Sequence, residues 1–324
     1  MYLWGMWKID LTYRETLQTT LDRLFEKKNT LQNHRPLSGV ALQQIIETLS
    51  IEWTYNSNSI EGNTLSLRET QMVLQEGVTI SGKSLREHFE AVNHQTALRY
   101  LYGLVAKNNP ISSNDILDLH ALVLRNIEDD FAGRLRNAGV RIAGANFTPP
   151  NAQKVSDLLD ELILFVNENP SGLNIIELAT VFHHKFVWIH PFFDGNGRTV
   201  RLAMNLLLMK EGFPPAIILK NDRAKYYAGL NSANKGNYKK LVLLMAQALE
   251  RSLNIYLSAF PGNTAEYTEI SNLVKEADLP YGQEYISLLA RQGKIDAHKE
   301  GRNWFTTKEA VEEYAKKQNH KSTA

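Results

Sequence analysis

The run Ile189-His-Pro-Phe-Phe-Asp-Gly-Asn-Gly-Arg-Thr-Val-Arg201 gathers the chemically capable residues of this 324-residue sequence into one short segment. Pro191 disfavours helical geometry at His190, so a helix should end there. Gly195 and Gly197 flank Asn196 and free the backbone for a tight turn. A new helix, expected over Arg198–Glu211, then presents its unpaired N–H groups and positive dipole end to the loop, which makes an anion site. Arg198 and Arg201 are three apart and share a face. Two cations at a helix N-terminus need an anionic counterpart, and a polyphosphate supplies one. Asp194 beside them is a hard oxygen ligand suited to Mg²⁺. His190 has an ordinary pKa of ~6.5, which makes it the candidate base. Phosphate, Mg²⁺ and a base together indicate phosphoryl or nucleotidyl transfer. The segment is not a P-loop, because no Gly-Lys-Ser/Thr follows.

His190-Pro-Phe-Phe-Asp-Gly-Asn-Gly-Arg-Thr-Val-Arg201 resembles the Fic family signature, H-P-F-x-[DE]-G-N-G-R-x-x-R, without departure. The resemblance implies a mainly α fold with a Fic-type helical core over roughly 112–247. It also implies transfer of AMP from ATP, with Mg²⁺, to a Ser, Thr or Tyr hydroxyl of a target protein or of the chain itself, releasing pyrophosphate. On that resemblance His190 takes the proton of the attacking hydroxyl and Asp194 holds Mg²⁺. Gly195, Asn196 and Gly197 form the anion hole, while Arg198 and Arg201 meet the β- and γ-phosphates. Tyr226, Tyr227 and Asn234 match positions near the nucleoside. The Gly-rich stretch before Pro149-Pro150, including Ala143, Gly144, Ala145 and Asn146, is expected as a short β-hairpin flap that pins the target as an added strand. Gly197 argues against the kinase-like branch of the family, which carries Lys there. A phosphocholine-transferring branch, or use of another nucleotide, stays open. Members often dimerise, so a homodimer is a further implied partner.

Ser57-Asn-Ser-Ile-Glu61-Gly62-Asn63 resembles the family's inhibitory motif, [ST]-x-x-x-E-[GN], placed ahead of the core. Ser57 and Glu61 are four apart, hence on one helical face. Glu61 is expected to pair with Arg201 and take the γ-phosphate's partner.

The elements that must position these residues read mostly as helices, with apolar residues at helical spacing and only 19 Gly and 10 Pro. Helices are expected over 10–33, 40–59, 67–77, 85–105, 114–124, 152–168, 174–189, 223–233 and 239–259. His183 and His184 point to different helix faces and lack H-E-x-x-H spacing, so they read as core or supporting residues, with no zinc. Trp4, Trp7, Trp53, Trp188 and Trp304 read as packing. After 260–263, a linker, the order helix, turn, helix, two short strands around Glu300-Gly-Arg302 and a last helix is that of a winged helix-turn-helix. The expected division is 1–110 with the inhibitory motif, 112–247 as core and 264–320 as winged helix.

Lys and Arg total 36 against 35 Asp and Glu, so no global basic field announces nucleic acid or a membrane. In the winged segment Lys294, Lys299, Arg302 and Lys308 are offset by nearby acids, which leaves DNA and protein docking as equal readings. That keeps a second class of function open: a DNA-binding regulator whose core senses nucleotide. The absence of cysteine excludes disulfides and thiolate chemistry and fits a cytoplasmic setting. The apolar start, Met1 to Trp7, is too short for a signal or a span, so no membrane role is expected.

Overall fold

The computed structural model describes residues 9–34, 39–107, 109–142, 147–260 and 265–322. It opens with α1 (Arg14–Asn33) and α2 (Val40–Ile60), followed by α3 (Leu67–Glu76), α4 (Leu85–Ala106) and α5 (Ser113–Leu124). Then come α6 (Val155–Glu168), α7 (Ile175–Ile189), α8 (Asn196–Lys210), α9 (Arg223–Ala233) and α10 (Lys239–Ser258). Among the described residues, no helix is long and apolar enough to cross a membrane.

Local signals fix several helix starts. Ser84 and Glu87 form a capping box at α4, Ser112 and Asp115 at α5, and Asn174 and Glu177 at α7. Each box satisfies N–H groups that the helix itself leaves unpaired. Helices α7 and α8 form the centre. From Arg198 to Leu208 every side chain of α8 is buried, and α8 packs against α7, α4, α5 and α2. Helix α2 belongs to the same core, because Leu42, Leu49, Trp53 and Ile60 are buried in the cluster that holds Leu202 and Leu206.

Beyond residue 264 the chain forms β1 (Thr268–Glu269), α11 (Ile270–Glu276), α12 (Gln283–Arg291), β2 (Ala297–Glu300), β3 (Asn303–Thr306) and α13 (Lys308–Ser322). The sheet is antiparallel in the order β1-β3-β2, with Ala297 opposite Thr306 and Thr268 opposite Thr306 on the other side. The sequence suggested two strands; β1 adds a third. Strand β2 begins at Ala297, just past Asp296, which is taken by Lys27 of α1 and by the Tyr267 hydroxyl. A separate small core of Ile270, Ile286, Leu289, Ile295 and Val311 holds this unit together.

One expected element is not seen. The described parts of 134–150 carry no paired strand. Two strands with no sheet to join are marginal alone, and here the segment's backbone is instead held by Arg136. Trp4, Trp7 and the linker at 261–263 lie outside the described residues, as do Ala143, Gly144, Ala145 and Asn146.

Candidate active site

The site is built where α7 stops and α8 starts. His190 closes α7 in the left-handed region, φ 51°, with its N–H donating to the Phe186 carbonyl. That backbone state is costly for a residue with a Cβ and tends to persist only where the surroundings impose it. Gly195 follows at φ 73° as the N-cap of α8. The helix therefore begins at Asn196, two residues before the expected start, because a single left-handed glycine is enough to launch it. Gly197 is helical, Arg198 stays in the first turn and Arg201 moves to the second. The Asn196 side chain closes the loop: its Oδ1 accepts from the Phe192 N–H at 3.0 Å and its Nδ2 donates to the Phe192 carbonyl at 2.9 Å. Only its backbone N–H remains for an anion.

The two arginines are buried, each 3% exposed. Their counter-ions here are carboxylates. Arg198 Nη1 pairs with Glu90 at 3.0 Å and Nη2 with Asp194 at 3.3 Å, while Nε has no hydrogen-bond partner among the described residues. A buried guanidinium with a donor to spare suits an incoming phosphate oxygen. Arg201 is gripped on three sides. Nη1 donates to Glu61 Oε1 at 2.8 Å, Nε to Ser57 Oγ at 3.0 Å and Nη2 to the Ser57 carbonyl at 2.7 Å. The expected Glu61–Arg201 pair is thus present, with Ser57 engaged twice. Glu61 also fills the space over Gly197: a Cβ there would come within 2.0 Å of Glu61 Oε1.

Asp194 Oδ1 accepts from the Gly195 N–H at 2.6 Å, and Oδ2 meets Arg198 and the half-exposed Arg86. Burial opposes ionisation of Asp194, but Arg198, the Gly195 N–H and Arg86 outweigh it and hold the carboxyl below its ordinary range. One ionised carboxylate beside the first turn of α8 is a donor that suits Mg²⁺, which takes most of its other ligands from phosphate and water. Arg86 is the group that would give way. His190 is pushed down to about 4, chiefly by burial, with the Val187 carbonyl and the Glu61 and Asp194 charges working the other way. It is a neutral imidazole at pH 7, ready to accept a proton.

The nucleoside-side candidates sit together. The Tyr226 hydroxyl meets His183 Nε2 at 2.7 Å. Asn234 Oδ1 accepts from His184 Nε2 at 2.8 Å, so the Tyr238 hydroxyl donates to His184 Nδ1 at 2.8 Å. Tyr227 carries the Arg223 guanidinium 4.8 Å from its ring centre. His183 and His184 thus act as supports for these residues. Sequence reading missed Glu90, Arg86, His120 and Arg136. Arg136 is buried and fastens the segment at 134–150 to the end of α7: Nε donates to the His190 carbonyl at 2.8 Å, Nη1 to Ala138 at 3.0 Å and Nη2 to Pro150 at 2.6 Å. Its neighbours Arg134, Leu135 and Asn137 gave no signal of this role in sequence. Of the four basic residues singled out beyond residue 264, Lys299 is tied to Asp222 at 2.7 Å and Lys308 pairs with Glu312 at 3.6 Å. Lys294 and Arg302 are exposed.

Among the described residues, four buried histidines and the half-buried His190 are held neutral. His94 falls to about 3, and His120, His184 and His190 to about 4, while His183 lies well below its ordinary value, in each case chiefly through burial. Their stabilisation is full above the unfolded value of ~6.5 and is lost as pH falls toward the folded values. The melting temperature should be flat from pH 8 to 7 and drop steeply between pH 6 and 4. A level profile across that window would contradict the buried neutral state.

A model of the Fic/DOC family matches residues 110–208. Protein adenylyltransferase fic-1 of Caenorhabditis elegans is 39% identical over 249 residues, 76% of this chain and 47% of that protein. Protein adenylyltransferase Fic of Aedes aegypti is 35% identical over 281 residues, 86% of this chain and 55% of that one. The chain spans about half the length of the curated relatives it matches. The solved structure of residues 134–508 of C. elegans Fic-1 superposes with a TM-score of 0.68 at 36% identity, covering 75% of this chain and 72% of that one. A Fic-domain signaling protein from Bacteroides thetaiotaomicron gives 0.66 at 26% identity, covering 74% and 96%.

Proposed function

This chain belongs to the Fic/DOC family, and from that premise we propose that it is an autoinhibited protein adenylyltransferase. It moves AMP from ATP to a Ser, Thr or Tyr hydroxyl of a target protein or of itself. The observation that carries the proposal is the clasp of Ser57 and Glu61 on Arg201, one helical turn from Gly197 and beside a neutral His190. A cation that would serve a triphosphate is already neutralised, at the position where the phosphates would enter.

The hydroxyl oxygen attacks the α-phosphorus as its proton passes to His190. Nδ1 of that ring is shut away from water, which leaves Nε2 to receive the proton. The bond from the α-phosphorus to the bridging oxygen breaks, and pyrophosphate departs with the electron pair. The first-turn N–H groups of α8 and the arginines stabilise the charge that develops on the phosphates. Mg²⁺ held by Asp194 would neutralise the α- and β-phosphates and ease departure of pyrophosphate. Tyr226, Tyr227 and Asn234 bound the nucleoside side, and the segment at 134–150 receives the target. In this reading 1–110 inhibits, 112–247 transfers and 264–320 docks a partner. The engagement of Lys299 and Lys308 by carboxylates favours a protein there over DNA. A salt-sensitive gel shift by the whole chain would reverse that preference.

The direct test is intact-mass spectrometry of the Glu61→Gly protein after incubation with ATP, GTP, UTP or CDP-choline and Mg²⁺. An AMP-sized addition with ATP is expected. An addition only from one of the other donors would replace the adenylyl assignment.

A further inference from the structure

We infer that His120, a residue of α5, is a positioning residue that fixes two walls of the transfer site through its two ring nitrogens; the inference rests on the proposed role of 190–201. His120 is fully buried, and its ring lies flat on Phe192, with centroids 3.5 Å apart and 4° between planes. The Gly133 N–H donates to His120 Nδ1 at 3.0 Å. A nitrogen that accepts carries no proton, so the ring proton is on Nε2. Nε2 lies 3.0 Å from the Asp194 carbonyl and donates to it. The loop backbone is pressed on the same ring: a Cβ at Gly195 would stand 3.3 Å from both Cδ2 and Nε2 of His120.

Each contact has a separate consequence. The Asp194 carbonyl is the last acceptor before the Gly195 N-cap, so anchoring it sets the direction of the Asp194 carboxylate and of the first-turn N–H groups of α8. Gly133 is the last turn residue before the segment that would receive the target, so anchoring its N–H sets where that segment leaves the core. One neutral imidazole thus couples the phosphate cradle to the target wall.

The two links are separable by half-mimics in the Glu61→Gly protein. In His120→Gln the side-chain amide reaches the place of Nε2 and can donate to the Asp194 carbonyl, but offers no acceptor to Gly133. In His120→Asn the amide oxygen stands near the place of Nδ1 and can accept from Gly133, but does not reach Asp194. His120→Gln should keep the KM for ATP within about threefold and lose hydrogen-exchange protection at Gly133. His120→Asn should keep that protection, while kcat/KM for ATP falls roughly 10- to 100-fold, as expected for a displaced phosphate site. Exchange in peptides spanning 131–136 and 190–197 reads the links without reference to activity. Identical behaviour of the two variants, or the reverse pattern, would overturn the assignment. If the Glu61→Gly parent itself transfers no AMP, the adenylyl reading fails, and the exchange pattern alone still decides whether His120 holds these two walls.

Discussion

Glu61→Gly should raise AMP incorporation by about 10- to 100-fold over the unaltered chain, measured as labelled AMP retained on protein. The expectation follows from three distances on one guanidinium. Glu61 supplies one of the hydrogen bonds that occupy Arg201, at 2.8 Å, and Ser57 supplies the others. Removing the carboxylate frees Nη1 and empties the space over Gly197, where Glu61 Oε1 now lies within 2.0 Å of a built Cβ. A triphosphate then finds both a cation and room. The size is modest because inhibition needs only a small displacement of the phosphates to spoil in-line geometry. A rate equal to or below that of the unaltered chain would discard the inhibitory reading. Glu61 is the last-turn neighbour of α2 and one-third exposed, so the fold should be untouched.

Much of this arrangement is legible in the sequence, and the reasons are local. The box residues Ser112 and Asn174 announce their helices, and α9 runs over the expected residues because its ends follow from short-range patterning. The end of α7 at His190 follows from Pro191, whereas the left-handed backbone of His190 does not, since a following proline favours extended geometry. The start of α8 was misplaced because both glycines read as loop, although Gly195 alone has a positive φ within that pair. The hairpin was a reasonable inference from alternation, yet a strand also needs a partner, and partnering is not written locally. The same holds for Arg198, whose ion pair with Glu90 spans 108 residues of chain, and for Arg136, whose acceptors are backbone carbonyls that any residue carries. Contacts to backbone leave no trace in side-chain spelling.

In the Glu61→Gly background, adding His190→Ala should lower AMP incorporation by roughly 100- to 10,000-fold, the usual contribution of a positioned base. ATP binding, followed by calorimetry, should change little, because the phosphates meet α8 and the arginines and not the imidazole. Circular dichroism should report a folded protein, since the Arg136 bonds run to the His190 carbonyl, which alanine retains. The rate of the parent should be independent of pH from 8 to about 5 and should fall as the imidazole protonates near 4. Retention of more than half the activity in the double variant would remove His190 from the proton transfer.

Helix α2 brings Glu61 to the site with its own flank sunk in the protein: Leu42, Leu49, Trp53 and Ile60 are all 2% exposed or less. Stripping a single such side chain from a core costs about 2–5 kcal/mol, so the helix is not a detachable cap. Control must then be exerted at its final residues, by a rotation of one carboxylate or a slight unwinding past Ile60, while the remainder stays seated. A compound or partner that wakes this protein is best sought at the exposed Glu61-Gly62 corner, and proteolytic removal of the whole element should yield an insoluble chain in place of a constitutively active one.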